Sequence, residues 1–111
     1  MIVEESFYDN GNIEFSVEKI NGLKHGVAKY WDESGYLINE VSYMDDKING
    51  IWISYYPSGE IKYRSNYVNN KRHGIMLEYY SNGNKKRIST YEYDIEVSSI
   101  SFDLNGKKIK N

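Results

Sequence analysis

The chain has no cysteine among its 111 residues and only one proline. Without cysteine there is no disulfide framework, no thiolate metal ligand and no cysteine nucleophile, which fits a reducing compartment. No apolar run approaches the ~20 residues of a membrane helix. The first residues also lack the basic segment and apolar run of a signal peptide. The sequence therefore predicts a soluble cytoplasmic protein.

Charge is nearly balanced overall, with a net value of −2, but it is unevenly distributed. Residues 1–55 hold 10 Asp and Glu against 4 Lys and Arg, a balance of −6. Residues 56–111 hold 6 against 10, a balance of +4. The net charge alone predicts no nucleic-acid or membrane partner. The two halves are nevertheless expected to present opposite signs.

Repetition is the main feature of the chain. The stretch Gly-Ile-Trp-Ile-Ser-Tyr-Tyr-Pro-Ser-Gly begins at Gly50, and related stretches begin 24 residues earlier at Gly26 and 24 residues later at Gly74. Such a period is typical of stacked supersecondary units. We predict one repeat domain over residues 1–111, with the first and last units as degenerate caps. The units are 2–25, 26–49, 50–73, 74–96 and 97–111.

Each unit is predicted to be a β-hairpin. Apolar side chains alternate along it, which is the period of strands with one buried face. Turn residues precede each periodic turn glycine, and the chain holds five Asn-Gly pairs, which suit turns with two left-handed residues. No window shows helical periodicity. We expect an all-β fold, a single-layer, curved antiparallel meander of about ten short strands.

The alternation also predicts which face is the core. Counted from each strand-opening glycine, the odd positions are the more apolar, so we expect them to be buried. They are Val27, Lys29, Trp31, Ile51, Ile53, Tyr55, Ile75, Leu77 and Tyr79. Residues at equal offsets should lie in line, so Trp31, Tyr55 and Tyr79 are predicted to stack in a row that Phe7 and Phe102 continue.

The pattern Gly-x-Trp-x-x-Tyr-Tyr-x-x-Gly at Gly50, with Ile61 and Tyr67 after it and His-Gly at His73, resembles the bacterial variant of the MORN repeat. The resemblance is clearest from Lys47 to Tyr91. Bacterial proteins with such repeats are similar to the YwqK-type antitoxin and immunity proteins, while other MORN proteins serve as scaffolds or contact membranes. The resemblance implies a curved antiparallel sheet without an active site, and it assigns no functional residue.

Candidate chemistry is sparse. His25 and His73 precede glycines at the same offset, and Asn49 takes that place between them, so a repeated turn residue is favoured over a metal ligand. Neighbouring carboxylates in a strand point to opposite faces, and pairs in turns are normally solvated. No strained nucleophile turn of the Gly-x-Ser-x-Gly kind is present. We expect no enzyme activity, no metal and no cofactor.

A basic cluster lies in the second half, with Glu78 as the only acid within it. Basic residues beside tyrosines can bind the phosphates of nucleic acid while the tyrosines stack on bases, or they can attract anionic lipid. The favoured interpretation is that these residues protect solvent-facing and edge strands. The cluster consists of Lys62, Arg64, Lys71, Arg72, Lys85, Lys86 and Arg87.

Large aromatic side chains on the even, more polar face are candidate anchors for a partner. This set is Tyr30, Trp52, Tyr56, Met76 and Tyr80. An acidic patch around the second unit consists of Asp32, Glu33, Glu40, Asp45 and Asp46, and we name Asp32, Glu33, Asp45 and Asp46 as further candidates for contact with the partner. The alternative is a sheet that curls and makes the aromatic set a second core. The resulting hypothesis is a protein-binding, immunity-like protein that occludes a toxin. A MORN-type scaffold that binds anionic lipid or assembles a complex is the alternative.

Overall fold

The computed structural model describes residues 1–109, which form ten strands and no helix. The strands are β1 (Ile2–Phe7), β2 (Ile13–Ile20), β3 (Leu23–Trp31), β4 (Leu37–Met44), β5 (Lys47–Tyr55), β6 (Ile61–Val68), β7 (Lys71–Tyr79), β8 (Lys85–Glu92), β9 (Ile95–Phe102) and β10 (Lys108–Ile109). Each pairs antiparallel with its sequence neighbours in one open sheet. The molecule measures 47 × 32 × 15 Å, so it is one layer thick. The predicted fold class is confirmed.

At one end of the strands, three-residue turns join the two strands of each hairpin, and each turn ends in one of the periodic glycines. At the first, the Gly11 N–H donates to the Tyr8 C=O (2.9 Å), and the Tyr8 N–H donates to the Asn12 C=O (2.8 Å). Gly11 has a φ of +92°, a left-handed value that glycine adopts without strain. The same pair of bonds recurs in the turns that begin at Asp32, Tyr56, Tyr80 and Asp103. We call this the glycine edge.

At the other end of the strands, two-residue turns join neighbouring hairpins. Both residues of each turn have positive φ, as type I′ turns require. The turns are Asn21-Gly22, Asp45-Asp46, Asn69-Asn70 and Tyr93-Asp94. Only the first of them is an Asn-Gly pair, so the prediction that Asn-Gly marks these turns holds at one place. Asp and Asn tolerate the left-handed conformation because their short polar side chains bond locally. We call this the Asx edge.

Gly26, Gly50 and Gly74 lie inside strands, so the prediction that they open strands is wrong. In β3, Lys24 pairs with Lys19 and Ala28 with Val17, so three residues centred on Gly26 face one residue of β2. Such a bulge needs unusual backbone angles, and the φ values of the three glycines are +105°, +113° and +105°. These glycines are periodic because this bulge recurs once in each of the three repeats.

In the forward strands β3 and β7, the buried positions are the even ones, which the sequence pattern assigned to the more polar face. Ala28 and Met76 are 0% and 3% exposed, whereas Val27 and Ile75, on the predicted core face, are 38% and 60% exposed. Six of the seven residues buried within 1–109 form, with the half-buried Trp52, a row of cross-strand partners along the sheet: Val17, Ala28, Val41, Trp52, Ser65, Met76 and Ser89. Ala28, Ser65 and Ser89 in this row are small or polar, so hydropathy alone does not predict that it is buried.

The predicted row of stacked aromatics is also absent. Among residues 1–109, the aromatic contacts are Phe15 with Tyr30, Trp52 with Tyr67, and His73 with Tyr93. In a meander, equal offsets in consecutive repeats lie two strands apart, about 9.6 Å at ordinary strand spacing. The return strand therefore separates them, and Trp31 pairs with Leu37 while Tyr55 pairs with Ile61.

Candidate functional site

One face of the sheet is lined with tyrosines, and its side chains contact one another. We call it the tyrosine face, defined by Tyr30, Tyr43, Trp52, Tyr63, Tyr67, Met76 and Tyr91. The Asn39 carboxamide oxygen accepts hydrogen bonds from Trp52 Nε1 (3.3 Å) and Ser54 Oγ (2.7 Å). The Tyr43 ring lies 4.9 Å from Lys24 Nζ, whose aliphatic stem covers apolar surface.

Two phenols of this face, those of Tyr43 and Tyr67, have raised pKa values. Burial raises the pKa of Tyr43, and the Tyr30 hydroxyl, 3.5 Å away, raises it further. Burial likewise raises the pKa of Tyr67. Both side chains therefore act as packed, neutral groups at physiological pH. Within residues 1–109, no buried side-chain nitrogen or oxygen lacks a hydrogen-bond partner. The buried polar groups of the face are thus satisfied within the fold.

The other face has apolar side chains that are exposed or half-buried. We call it the aliphatic face, defined by Val27, Ile51, Ile53, Ile75, Leu77, Ile88 and Ile100. Two adjacent clefts lie on it. The larger, of about 490 Å³, has Ile51, Ile75, Leu77 and Arg64 in its lining. The smaller, of about 180 Å³, has Val27, Ile53 and Glu40 in its lining and shares Ile51 with the first.

The glycine edge carries a ladder of hydrogen bonds between repeats. The Tyr8 hydroxyl donates to the Trp31 C=O (2.6 Å), that of Tyr56 to the Tyr79 C=O (2.6 Å), and that of Tyr80 to the Phe102 C=O (2.8 Å). The equivalent position in the second repeat is Asp32. Its carboxylate instead accepts from the N–H groups of Ser34 and Tyr36, both at 3.0 Å.

The Asx edge carries a second ladder, which the sequence analysis missed. Asp46 accepts from the Lys24 N–H (2.7 Å) and returns a bond from its own N–H to the Lys24 C=O (3.0 Å). Asn70 makes the same two contacts with Ile48, and Asp94 makes them with Arg72. The 24-residue step from Asp46 to Asn70 to Asp94 is the sequence signal that could have identified this ladder.

The structure divides the predicted aromatic anchors. Tyr30, Trp52 and Met76 lie on the tyrosine face, and Met76 is buried. Tyr56 and Tyr80 lie beyond the ends of β5 and β7, in the turns of the glycine edge. The five side chains therefore do not form one patch. Their role in binding a partner stays a prediction.

The predicted acidic patch is likewise split. Asp32 and Glu33 lie at the glycine edge, whereas Asp45 and Asp46 lie at the Asx edge, because successive turns of a meander alternate between edges. The eight residues of β4 separate the two pairs, a distance of roughly 27 Å at the usual rise per residue. The prediction of a single acidic patch is therefore wrong. Asp32 and Asp46 also have structural contacts of their own.

The basic cluster divides between the two faces. Arg72 pairs with Asp94 (3.3 Å) and lies 4.3 Å from the Tyr91 ring, while Arg87 pairs with Glu96. Within residues 1–109, Arg64 has no ion pair and lies on the aliphatic face. Lys62 and Lys86 occupy equivalent positions, 5.8 Å and 5.7 Å from the rings of Tyr56 and Tyr80.

Three segments of the chain match the family model described as the MORN repeat variant: residues 24–45, 48–69 and 72–93. Together they cover more than half of the chain. Each segment begins at the start of β3, β5 or β7 and ends at the next type I′ turn, so the sequence repeat corresponds to one complete hairpin. No curated protein matches the chain in sequence. MORN repeats generally mediate interactions with proteins or membranes.

Proposed function

The chain belongs to the MORN repeat variant family, and on that premise we propose that it is a non-enzymatic module that holds a protein partner on its aliphatic face. The observation that carries the proposal is the uncovered apolar surface. Ile75 is 60% exposed and Ile100 is 40% exposed, and each pairs with a residue of β8, Ile75 with Thr90 and Ile100 with Ile88. Contiguous exposed apolar surface on a rigid scaffold is typical of an interaction site.

The finer version of the proposal is an immunity or antitoxin-like protein of the cytoplasm that binds a toxin domain and occludes it. Two observations support it. The repeat pattern resembles the YwqK-type proteins, and the first half of the chain has a charge balance of −6, which suits a basic partner directed at nucleic acid. Opposite charges on two partners raise the encounter rate and select against wrong partners.

The experiment begins with the gene immediately upstream. Its product is expressed with and without this protein, and we measure cell growth and co-purification. Growth arrest by the neighbour alone, relieved by this protein, supports the antitoxin role. If a product that binds the chain is harmless when expressed alone, the partner is a protein but the role is that of a scaffold. If the neighbour's product neither arrests growth nor binds, the antitoxin role is wrong.

Two exposed apolar residues make a matched pair of variants for this experiment. Ile75 lies on the aliphatic face and is 60% exposed, while Leu104 lies in a turn of the glycine edge and is 58% exposed. Ile75→Glu should weaken partner binding at least tenfold, since it places a charge in an apolar contact. Leu104→Glu should leave binding unchanged. Equal effects of the two variants would contradict the placement on the aliphatic face.

Anionic lipid is a second candidate partner, favoured by one observation. Lys62 and Lys86 lie against turn tyrosines at the same step of the repeat, and each has its ammonium group near the glycine edge. Lysines beside aromatic rings suit the interface of an anionic membrane. Flotation with vesicles of phosphatidylserine and phosphatidylcholine tests this. Binding that is lost in Lys62→Glu/Lys86→Glu, and absent with phosphatidylcholine alone, would favour the lipid.

A further inference from the structure

The larger cleft of the aliphatic face has a cation in its floor. Arg64, in the central strand β6, pairs across the sheet with Ile53 of β5 and Leu77 of β7. Ile51 and Ile75 occupy the next row, on either side of Asn66. The walls are thus aliphatic, and they stand on strands about 9.6 Å apart. The floor carries a guanidinium group.

The neighbouring cleft has the same design with the opposite charge. Its floor is Glu40 of β4, which pairs with Ile53 on one side and Lys29 on the other. The Glu40 carboxylate accepts a hydrogen bond from the Tyr55 hydroxyl at 3.2 Å. Glu40 therefore has a partner within the fold. Arg64 is 24 residues further along the chain and, within residues 1–109, has neither an ion pair nor a side-chain hydrogen bond.

We propose that the Arg64 cleft recognises an Asp or Glu carboxylate on an apolar, extended segment of the protein partner. The inference rests on the proposed function for the identity of the partner as a protein. A guanidinium presents several N–H donors in a planar fork that matches a carboxylate. The aliphatic walls exclude water from that contact and pack against apolar residues beside the acid. The volume of about 490 Å³ is in the range of ligand sites.

Charge on the rest of the face agrees with this choice. Lys62 lies two residues before Arg64 in β6, and Lys86 two residues before Ile88 in β8, so both lie on the aliphatic face. They belong to the half of the chain whose overall balance is +4. An acidic segment is attracted by all three cations, whereas a basic one is repelled. We accordingly expect the charge of the partner to be unevenly distributed, with a basic surface toward residues 1–55 and an acidic segment toward Arg64.

The test uses synthetic peptides, because they isolate the cleft from the unknown partner. Three hexapeptides, each acetylated and amidated, have the form Val-Thr-Ile-X-Val-Thr, with X as Glu, Gln or Lys. Binding is followed through the methyl resonances of Ile51, Ile75 and Leu77 in the full chain. The Glu peptide should bind about tenfold more tightly than the Gln peptide, the scale of a charge-assisted hydrogen bond. The Lys peptide should bind more weakly still.

Variants of the cleft assign the effect to Arg64. Arg64→Gln should abolish the preference for Glu over Gln, and Arg64→Glu should reverse it in favour of the Lys peptide. Lys71→Gln, which removes an equal charge at the Asx edge, should leave the preference intact. Retention of the preference in Arg64→Gln, or shifts confined to methyls outside the cleft, would overturn the proposal.

Failure of this inference is distinguishable from failure of the proposed function. If Ile75→Glu prevents capture of the neighbour's product while Arg64→Gln does not, and no peptide preference is found, the aliphatic face binds a protein but the carboxylate proposal is wrong. If the Glu peptide binds in the cleft while Ile75→Glu captures the neighbour normally, the cleft proposal stands and the proposed function fails. If phosphatidylserine vesicles bind in an Arg64-dependent way and the Glu peptide does not bind, the carboxylate proposal is wrong and the cleft binds lipid.

Discussion

The hydroxyl of Tyr56 donates a 2.6 Å hydrogen bond to the main-chain carbonyl of Tyr79, 23 residues further along the chain. The bond joins the turn of one repeat to the last strand residue of the next. Tyr8 and Tyr80 make the equivalent bond in their own repeats. Repeats of this fold are therefore connected at their turns by side chains, in addition to the backbone ladder of the sheet.

The first prediction measures the contribution of this bond. Tyr56→Phe removes only the hydroxyl, so the free energy of unfolding should fall by about 1 kcal/mol, the usual net value of a hydrogen bond. Urea denaturation followed by tryptophan fluorescence checks it. Tyr36→Phe is the control, since Tyr36 is 52% exposed and its hydroxyl makes no hydrogen bond within residues 1–109. An equal loss in both variants would contradict the role of the bond.

The second prediction separates the two acids of one turn. The Asp32 carboxylate accepts from the Ser34 and Tyr36 N–H groups, whereas only the main-chain carbonyl of Glu33 is engaged. Asp32→Ala should therefore lower the free energy of unfolding by about 1 kcal/mol, as loss of a side-chain cap does. Glu33→Ala should change it by less than about 0.5 kcal/mol. Thermal unfolding of both variants checks this, and a similar melting temperature for the two would count against a structural role for Asp32.

The third prediction concerns the bulge glycines. Gly50 has a φ of +113°, and a Cβ there would lie 3.1 Å from the Ser42 Cβ. Gly50→Ala should therefore destabilise the fold by about 2 kcal/mol, within the usual cost of such backbone strain. Gly59→Ala is the matched control, because Gly59 has a φ of +92° and open space around it. Its loss should be about 1 kcal/mol. Equal losses in denaturant unfolding would show that the close contact with Ser42 contributes nothing.

The fourth prediction is a dependence on pH. The Arg72 N–H, donating to the Asp94 carboxylate, lowers the pKa of that carboxyl below its ordinary value, and the Arg72 side chain adds to the effect. Because the folded pKa is below the unfolded one, the stabilisation is fully present above the unfolded pKa of about 4 and is lost as pH falls through the folded pKa.

Asp94→Asn tests this dependence with little change in shape, since Asn70 accepts the same bond from Ile48 in the preceding repeat. The wild type should gain stability relative to Asp94→Asn as pH rises from about 2 to about 5. Melting temperatures measured across that range check the difference between the two proteins. Parallel curves would mean that Asp94 has the same pKa in the folded and unfolded chains.

The repeat, the strand number and the glycine-edge turns could be predicted from the sequence because they depend on local signals: period-2 alternation, a fixed step and turn residues. Which face of the sheet is buried could not be predicted in this way. Ile75 is as apolar as any core residue, but it is 60% exposed, whereas Met76, the next residue, is 3% exposed. In a one-layer sheet, burial is decided by which side chains lie over their neighbours, and alternation does not reveal that.

The same reasoning explains the site. The acidic pairs Asp32-Glu33 and Asp45-Asp46 are close in sequence but lie at opposite edges, because a meander reverses direction at each turn. Arg64 and Glu40 were visible only as members of charged groups. Their importance comes from cross-strand pairing with Ile53 and, for Arg64, Leu77, which depends on the register of the sheet. At each bulge, three residues of one strand lie opposite one residue of the neighbouring strand. The alternation of apolar and polar residues does not reveal this change of register.

The last prediction tests the orientation of the sheet with two consecutive residues. Met76 is 3% exposed in the row between Ser65 and Ser89, while Ile75 is 60% exposed on the aliphatic face. Met76→Ala should lower the free energy of unfolding by about 2 to 3 kcal/mol, through lost burial and the cavity left behind. Ile75→Ala should lower it by less than about 1 kcal/mol, since most of its side chain is already in water. The core face predicted from alternation requires the opposite order. Chemical denaturation of the two variants therefore decides between the two orientations, and a larger loss in Ile75→Ala would restore the odd positions as the core.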